Sequence, residues 1–499
     1  MHRLVPCCLP LALAVLAGTT GAHAQEGVPG TIQGESRTGP AAATASHSCD
    51  PLAHGARGDG ATDSTAAIQA AIDACSARGG GRVSFGDGVF LTGPIALKDH
   101  VTLELARGTR LRAVAQADRF VWAFIGRPFR PHEALISGVN VSDVGIIGEG
   151  TIDGQGAELW WPAAVAAREA LRAGAKSWGP GMEKVPASNG LPRPWLIEFY
   201  NARRVLLRGV HLTNAPMWTV ALRYSEDVVM RDVRIANAPD SPNTDGIDIV
   251  SSRKVSLSNL SIDTGDDGIA IKAGLPGPDM PKRAARNITI SNVHFGQGRG
   301  LAIGSELAHG VEQVRINGAH FTGTQYGIRI KAGRDRGGDV GDVLVRHARM
   351  TDVAVPISID TSYPGEPREA AQPGSSTGNP TASPAGTQAG TVAAGSAATG
   401  AVATRAETAM PVTPLTPHIH DITIQHFFAS GARRAGLLAG LPEAPLRDIR
   451  LQHVSIASRG EGMVLRHVEG SFSGVKITAA RGKPVEEGPK TQVAVLEAP

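Results

Sequence analysis

The stretch VSLSNLSIDTGDDGIAIK, Val255 to Lys272, carries two patterns that decide how the chain folds. Its first half alternates aliphatic and polar positions, with Val255, Leu257, Asn259 and Leu260 as the frame. With some drift the frame returns as VLLRGVHL from Val205, VVMRDVRI from Val228, ITISNVHF from Ile288 and VRINGAHF from Val314. It returns again as VLVRHARM from Val343, ITIQHFFA from Ile422 and IRLQHVSI from Ile449. Successive starts from Val205 to Val343 lie 23, 27, 33, 26 and 29 residues apart. Units of that size cannot bury an apolar face alone, so the period signals stacked coils that share one core.

The second half of the stretch repeats in step. Gly268-Ile269-Ala270-Ile271 has counterparts in Gly246-Ile247-Asp248-Ile249, Gly300-Leu301-Ala302-Ile303 and Gly327-Ile328-Arg329-Ile330. These four segments should stack as neighbouring strands about 4.8 Å apart. Short strands, Gly and Asn turns and no crossover helix in each unit point to an all-β, single-stranded parallel β-helix. A leucine-rich repeat needs a recurring Leu and Asn framework, and a propeller needs longer, more uniform blades. Residues 63–78 read as one helix, with Asp63 or Ser64 as cap and Ala67, Ile68, Ala71, Ile72 and Cys75 on one face. It would cover the open N-terminal end of the stack, where bare strand edges invite aggregation. A second helix is expected over 163–173.

The ends and the composition narrow the function. Residues 1–24 have Arg3, an apolar run from Leu9 to Ala17 and Ala22-His23-Ala24, the pattern of a cleaved export signal. The expected protein is secreted, periplasmic or extracellular, after cleavage near Ala24. Net charge is +3, which argues against nucleic acid and gives no membrane signal. A monomer without cofactor or metal is expected. Cys49 and Cys75 remain after cleavage, either joined in a disulfide or as two buried thiols. Residues 25–48 read as a flexible lead-in, 49–499 as the coil body, and 366–412, rich in Ala, Gly, Ser, Thr and Pro, as a disordered insertion.

Chemistry gathers around the four stacked segments. The residues just before their glycines are Asp245, Asp267, Arg299 and Tyr326, with Asp266 one further back. Alternation turns Asp248, Ala270, Ala302 and Arg329, and then Val250, Lys272, Gly304 and Lys331, away from the core. The outer face therefore collects carboxylates beside Arg and Lys. Three close carboxylates cannot all ionise freely, so at least one should hold its proton. A protonated acid beside an ionised one is what glycosidic hydrolysis requires, while Arg329 and Lys331 suit an anionic sugar. Plain turn residues, a structural Asp/Asn ladder or a calcium site are the competing readings of the acids.

The sequence resembles the polygalacturonases, the pectin-degrading glycoside hydrolase family 28. The resemblance rests on HGARGDGATDSTAAIQAAIDAC at 54–75, GEGTIDGQG at 148–156 with Trp160-Trp161, Asn243-Thr244-Asp245, Gly265-Asp266-Asp267, Arg329-Ile330-Lys331 and Tyr363 in IDTSYPG. It implies a right-handed β-helix and an inverting, metal-free hydrolysis of α-1,4-linked galacturonate, with endo action expected. By motif position Asp266 would be the general acid, and Asp245 and Asp267 would activate water. Arg329, Lys331, Tyr363, Asn243, Arg299 and Lys272 would bind or orient substrate. One departure stands out: the family's Gly-His-Gly is Gly298-Arg299-Gly300 here. A fixed cation beside Asp266 makes it a poorer acid at neutral pH, or adds a contact to the sugar. His294 and His309 fall outside the motif register and read as turn residues. An exo-acting or rhamnogalacturonan or xylogalacturonan hydrolase, a calcium-dependent lyase and a binding-only homologue are the alternatives.

Overall fold

The computed structural model describes residues 47–175, 191–277, 280–363 and 408–496, all within one compact unit. The expected export signal, the lead-in up to residue 46 and residues 364–407 of the expected insertion lie outside the described residues. Residues 408–412 are exposed irregular chain. The body begins at Ser48, one residue earlier than expected, because Ser48 pairs with Arg82.

The repeat frame is the coil register. Val205 pairs with Val228, Val228 with Val255, Val255 with Ile288, Ile288 with Val314 and Val314 with Val343. Val343 then pairs with Ile422 and Ile422 with Ile449, so the ladder closes across the 366–412 segment. All of these pairings are parallel, which makes the molecule a parallel β-helix. The polar fifth position of the frame has a physical cause. Asp232, Asn259, Asn292, His347, His426 and His453 all have φ between 51° and 58°, a left-handed corner that Asp, Asn and His tolerate better than most residues. Asn259 bonds Asp232 at 3.0 Å and Asn292 bonds Asn259 at 2.8 Å, and the three histidine rings stack 5.2 and 5.1 Å apart.

A second ladder carries the outer face of interest. Its strands are β1 (Ile95–Leu97), β2 (Ala134–Val139), β3 (Trp195–Tyr200), β4 (Val220–Arg223), β5 (Ile247–Val250), β6 (Ile269–Lys272), β7 (Leu301–Gly304), β8 (Tyr326–Lys331) and β9 (Val355–Asp360). It continues through the long strands β10 (His418–Ala439), β11 (Leu446–Arg466) and β12 (Lys476–Glu487). Ile247, Ile269, Leu301 and Ile328 stand in one register column, as expected from the repeated glycine motif. They are at most 2% exposed and form part of a core that runs the length of the stack. Phe295 and Phe321 stack inside it at 4.5 Å.

Helix α1 (Thr65–Ala77) buries Ile68, Ala71, Ile72 and Cys75 against the first coil. Asp63 accepts the Thr65 N–H at 2.9 Å, whereas the Ser64 hydroxyl is taken by the Arg57 N–H. Helix α2 (Trp161–Arg172) starts two residues earlier than expected, and Trp161 donates to the Ala215 carbonyl at 3.0 Å. No helix among the described residues is long and apolar enough to cross a membrane. The two cysteines form a disulfide, Cys49–Cys75, tying the first strand to the cap. Closing a loop of this size contributes about 2–4 kcal/mol. The Cys49→Ser/Cys75→Ser variant should unfold at lower urea concentration by that amount, and an unchanged midpoint would show that α1 packing alone holds the cap.

Candidate active site

Backbone geometry sets the acids side by side. The turn before β5 places Asn243 at φ 54° and lets the Thr244 hydroxyl accept the Gly265 N–H at 3.0 Å, lashing one coil to the next. A side chain at Gly265 would lie 1.9 Å from the Ser241 carbonyl oxygen, so this approach requires glycine. The Gly246 N–H bonds the Asp267 carbonyl at 2.9 Å, and the Arg299 N–H bonds the Asp266 carbonyl at 2.8 Å. Three consecutive turns thereby bring Asp245, Asp266, Asp267 and Arg299 together.

One oxygen from each of Asp245, Asp266 and Asp267 lies within 4.8 Å of the others. Their environments differ. Asp245 and Asp267 are buried, whereas the Asp266 side chain is 14% exposed and stands at the mouth. Burial, and then the neighbouring Asp266 charge, push the Asp245 carboxyl well above the usual carboxylate range. Burial acts on Asp267 in the same direction, but Lys331, Arg329, Lys272 and Arg299 outweigh it and hold Asp267 below that range. Burial thus favours the neutral form of Asp245, while the cations around Asp267 favour its anionic form. Asn243 donates to Asp245 Oδ1 at 3.1 Å, which fixes that carboxyl.

The cations divide into two kinds. Lys331 Nζ lies 2.6 Å from Asp267 Oδ2, and Arg299 Nη1 lies 2.9 Å from Asp266 Oδ1. The Asp266 charge raises the Arg299 pKa further, so the guanidinium stays charged at any working pH. Arg329 lies over the Tyr326 ring at 4.1 Å and near the Tyr363 ring at 5.4 Å, and its Nε has no hydrogen-bond partner. Arg329 is partly exposed and has no ion pair among the described residues, which suits its guanidinium to a carboxylate ligand. The three carboxylates could in principle hold a divalent ion. Two of them already carry a bonded cation, so their net charge is too small to favour one.

Lys272 does not reach the groove as the sequence pattern suggested. It is 5% exposed, with Nζ 3.1 Å from Glu306 Oε2 and 3.6 Å from Asp248 Oδ1. Burial opposes its charge, but Glu306, Asp248, Asp245 and Asp267 raise its pKa well above normal. Glu306 is held low by Lys272 against its own burial. Burial, and then the Asp245 charge, drive Asp248 well up, whereas Glu306 is held low and is the nearer partner of Lys272. Sequence reasoning missed Glu306, because it follows its strand and has no counterpart in the repeated motif.

The outward face is also covered on one side. Ala123, Ile125, Trp195, Met217, Trp218, Ala221 and Val250 form a second apolar cluster outside the main core, joined by Phe124 and Leu275. Trp195 and Trp218 stack at 5.1 Å. Beneath this roof, Arg223 pairs with Glu198 at 2.8 Å and Glu133 at 3.1 Å, all fully buried. The face is therefore walled on the N-terminal side of the aspartates. It opens toward Arg299, whose side chain is 40% exposed, and Arg329.

The profile of glycosyl hydrolases family 28 matches residues 75–379. An endo-polygalacturonase of Pectobacterium parmentieri is 33% identical over 312 residues, 60% of this chain and 72% of that protein. Among solved structures, a family 28 exopolygalacturonase of Yersinia enterocolitica superposes with a TM-score of 0.69 at 19% identity, over 90% of this chain and 78% of that one. A polygalacturonase of Erwinia carotovora ssp. carotovora gives 0.60 at 24% identity, over 88% and 96%. At these identities the superpositions speak for the fold.

If Lys272 is a buried counter-charge, Lys272→Met should strand Glu306 and cost about 3–5 kcal/mol in urea unfolding. Arg329→Ala should cost only about 0.5–1 kcal/mol, the loss of a ring contact. Equal losses would contradict the division of the cations drawn above.

Proposed function

Because the chain belongs to glycosyl hydrolases family 28, we propose that it hydrolyses the α-1,4 bonds of polygalacturonate with its three aspartates. The observation that carries this reading is geometric: one oxygen from each of three carboxylates lies within 4.8 Å of the others, two of the side chains buried and Asp266 partly exposed, beside Arg299 and Lys331. Carboxylates in such unequal environments are how one site supplies both an acid and a base. Asp266, the most exposed of the three, is placed to protonate the departing glycosidic oxygen. Asp267, with Asp245 beside it, receives a proton from the attacking water. Arg329 takes the uronate carboxylate. Its partner in the motif, Lys331, is already bound to Asp267 and acts by keeping that base anionic. A substrate carboxylate arriving at Arg299 competes with Asp266 for the guanidinium. The leader-like first residues favour a site of action outside the cytoplasm.

Two details refine the reading. The carboxylate oxygens approach within 4.8 Å, closer than the roughly 6.5–9.5 Å separation that leaves room for water between acid and base in inverting enzymes. Inversion therefore needs the water held to one side by Asp245 and Asp267. The wall of Trp195, Trp218 and Phe124 on the N-terminal side favours cutting near a chain end over the internal cleavage implied by the bacterial resemblance.

Polygalacturonate should yield reducing ends without ultraviolet-absorbing unsaturated ends, which would mark a lyase. Proton NMR of the first product should show the β anomer, and the α anomer would establish retention. Asp266→Asn should lower kcat by at least about a hundredfold while oligogalacturonate still binds. Turnover like that of the parent would sink the assignment. Arg299→His removes a fixed positive charge that favours the anionic cluster. The alkaline limb of kcat/KM should then move up by roughly one pH unit. An unmoved profile would show that Arg299 does not govern the acid.

A further inference from the structure

The outer face that bears the aspartates extends well past Arg329. Register carries Arg329 to Ser358 on β9, Leu437 on β10, Val464 on β11 and Glu486 on β12. It carries Lys331 through Asp360 and Ala439 to Arg466. Three strand spacings, roughly 14 Å, separate Arg329 from Val464, and five, roughly 24 Å, separate Ala270 from it. There the face opens into a concavity of about 430 Å³ lined by Arg434, Arg466, Arg481 and Lys483, with Glu461 and Glu486.

The charges in this concavity are unevenly matched. Arg434 is paired with Glu461. Arg466, Arg481 and Lys483 have no ion pair among the described residues, and Arg481 and Lys483 are exposed. Glu486 is the one remaining acid in the lining. The floor is Val464, flanked by Gly462 and Gly482, which project no side chain into the space. Arg466 closes β11 as Lys331 closes β8, and Arg481 and Lys483 lie within β12. Between the two sites stands Asp360, whose carboxylate accepts the Ser362 N–H at 2.9 Å.

We propose that Arg466, Arg481 and Lys483 form a remote site that grips distal carboxylates of the same polyuronate chain whose bond is cut at the aspartates. This rests on the polygalacturonate reading above. Continuity of one sheet face and charge complementarity identify the occupant as an extended polyanion, and the first site identifies which. A short oligomer cannot reach both sites, whereas a long chain gains the second set of contacts at high local concentration once the first is made.

The test compares the parent with an Arg466→Gln/Arg481→Gln/Lys483→Gln variant on galacturonate trimer and on long polygalacturonate. For the polymer, KM should rise about tenfold with kcat unchanged, and its salt dependence should flatten. Trimer kinetics should be unaltered. An unmoved polymer KM, or an equal loss on trimer and polymer, overturns the remote site while leaving the hydrolase reading intact. If the parent cleaves neither substrate, the hydrolase reading fails on its own. Direct binding of polygalacturonate then decides, since a loss in the variant supports the site and no loss overturns it. Equal weakening of duplex DNA binding would mark a general polyanion patch and likewise overturn the proposal.

Discussion

The coil-to-coil register is the constraint on which everything else depends. In a parallel ladder each strand is hydrogen-bonded to the one before and the one after, and a slip of one residue would turn every buried aliphatic outward. The column of Ile247, Ile269, Leu301 and Ile328 forbids that slip. The left-handed corners at Asp232, Asn259 and Asn292 pin the neighbouring ladder in the same way. With both ladders locked, the turns before β5, β6 and β7 must present Asp245, Asp267 and Arg299 side by side. The geometry of the carboxylate cluster is a by-product of core packing, which is why residues far apart in sequence are held side by side.

That placement carries an electrostatic cost, and the surrounding cations are arranged to offset it. Removing several carboxylates from water favours their neutral forms. Lys331 keeps Asp267 anionic, and Lys272 keeps Glu306 anionic behind it. Asp245 and Asp248 lack an ion pair as short as these, and burial pushes both carboxyls well up. Two of the lysines that appear in the motif register are thus structural counter-charges first. Arg329, over the Tyr326 ring, is partly exposed and has no ion pair among the described residues, so it is left to meet a ligand.

The fold was legible because its signal is periodic. The eight repeat starts chosen from sequence are the observed ladder partners, including the pairing of Val343 with Ile422 across the long insertion. The trio of aspartates was legible for the same reason. What the pattern could not supply was depth. Alternation identifies Lys272 as outward from the core, but outward is not exposed when Trp195, Trp218 and Phe124 roof that part of the face. Trp218 and Phe124 lie in irregular segments with no repeat to mark them, and Trp195 opens β3, ahead of the repeats that the pattern marks. Glu306 and the Glu133–Arg223–Glu198 cluster escape for a similar reason, since their meaning arises only where loops fold back over strands.

Arg299 gives the site a different logic from one built around histidine. A histidine can shed its charge near neutral pH and exchange protons with an adjacent acid, whereas a guanidinium stays charged and can only be repartnered. Its ion pair with Asp266 is the most solvent-exposed contact in the cluster, so water screens it and an incoming anion can displace it. The Lys331–Asp267 pair is nearly dry and has no such freedom. The same charge type therefore serves two ends. The buried lysine holds Asp267 permanently, and the exposed arginine can exchange Asp266 for an anionic ligand. A neutral sugar offers nothing to exchange for Asp266, so under the proposed hydrolase reading selection for a uronate enters at Asp266 as well as at Arg329.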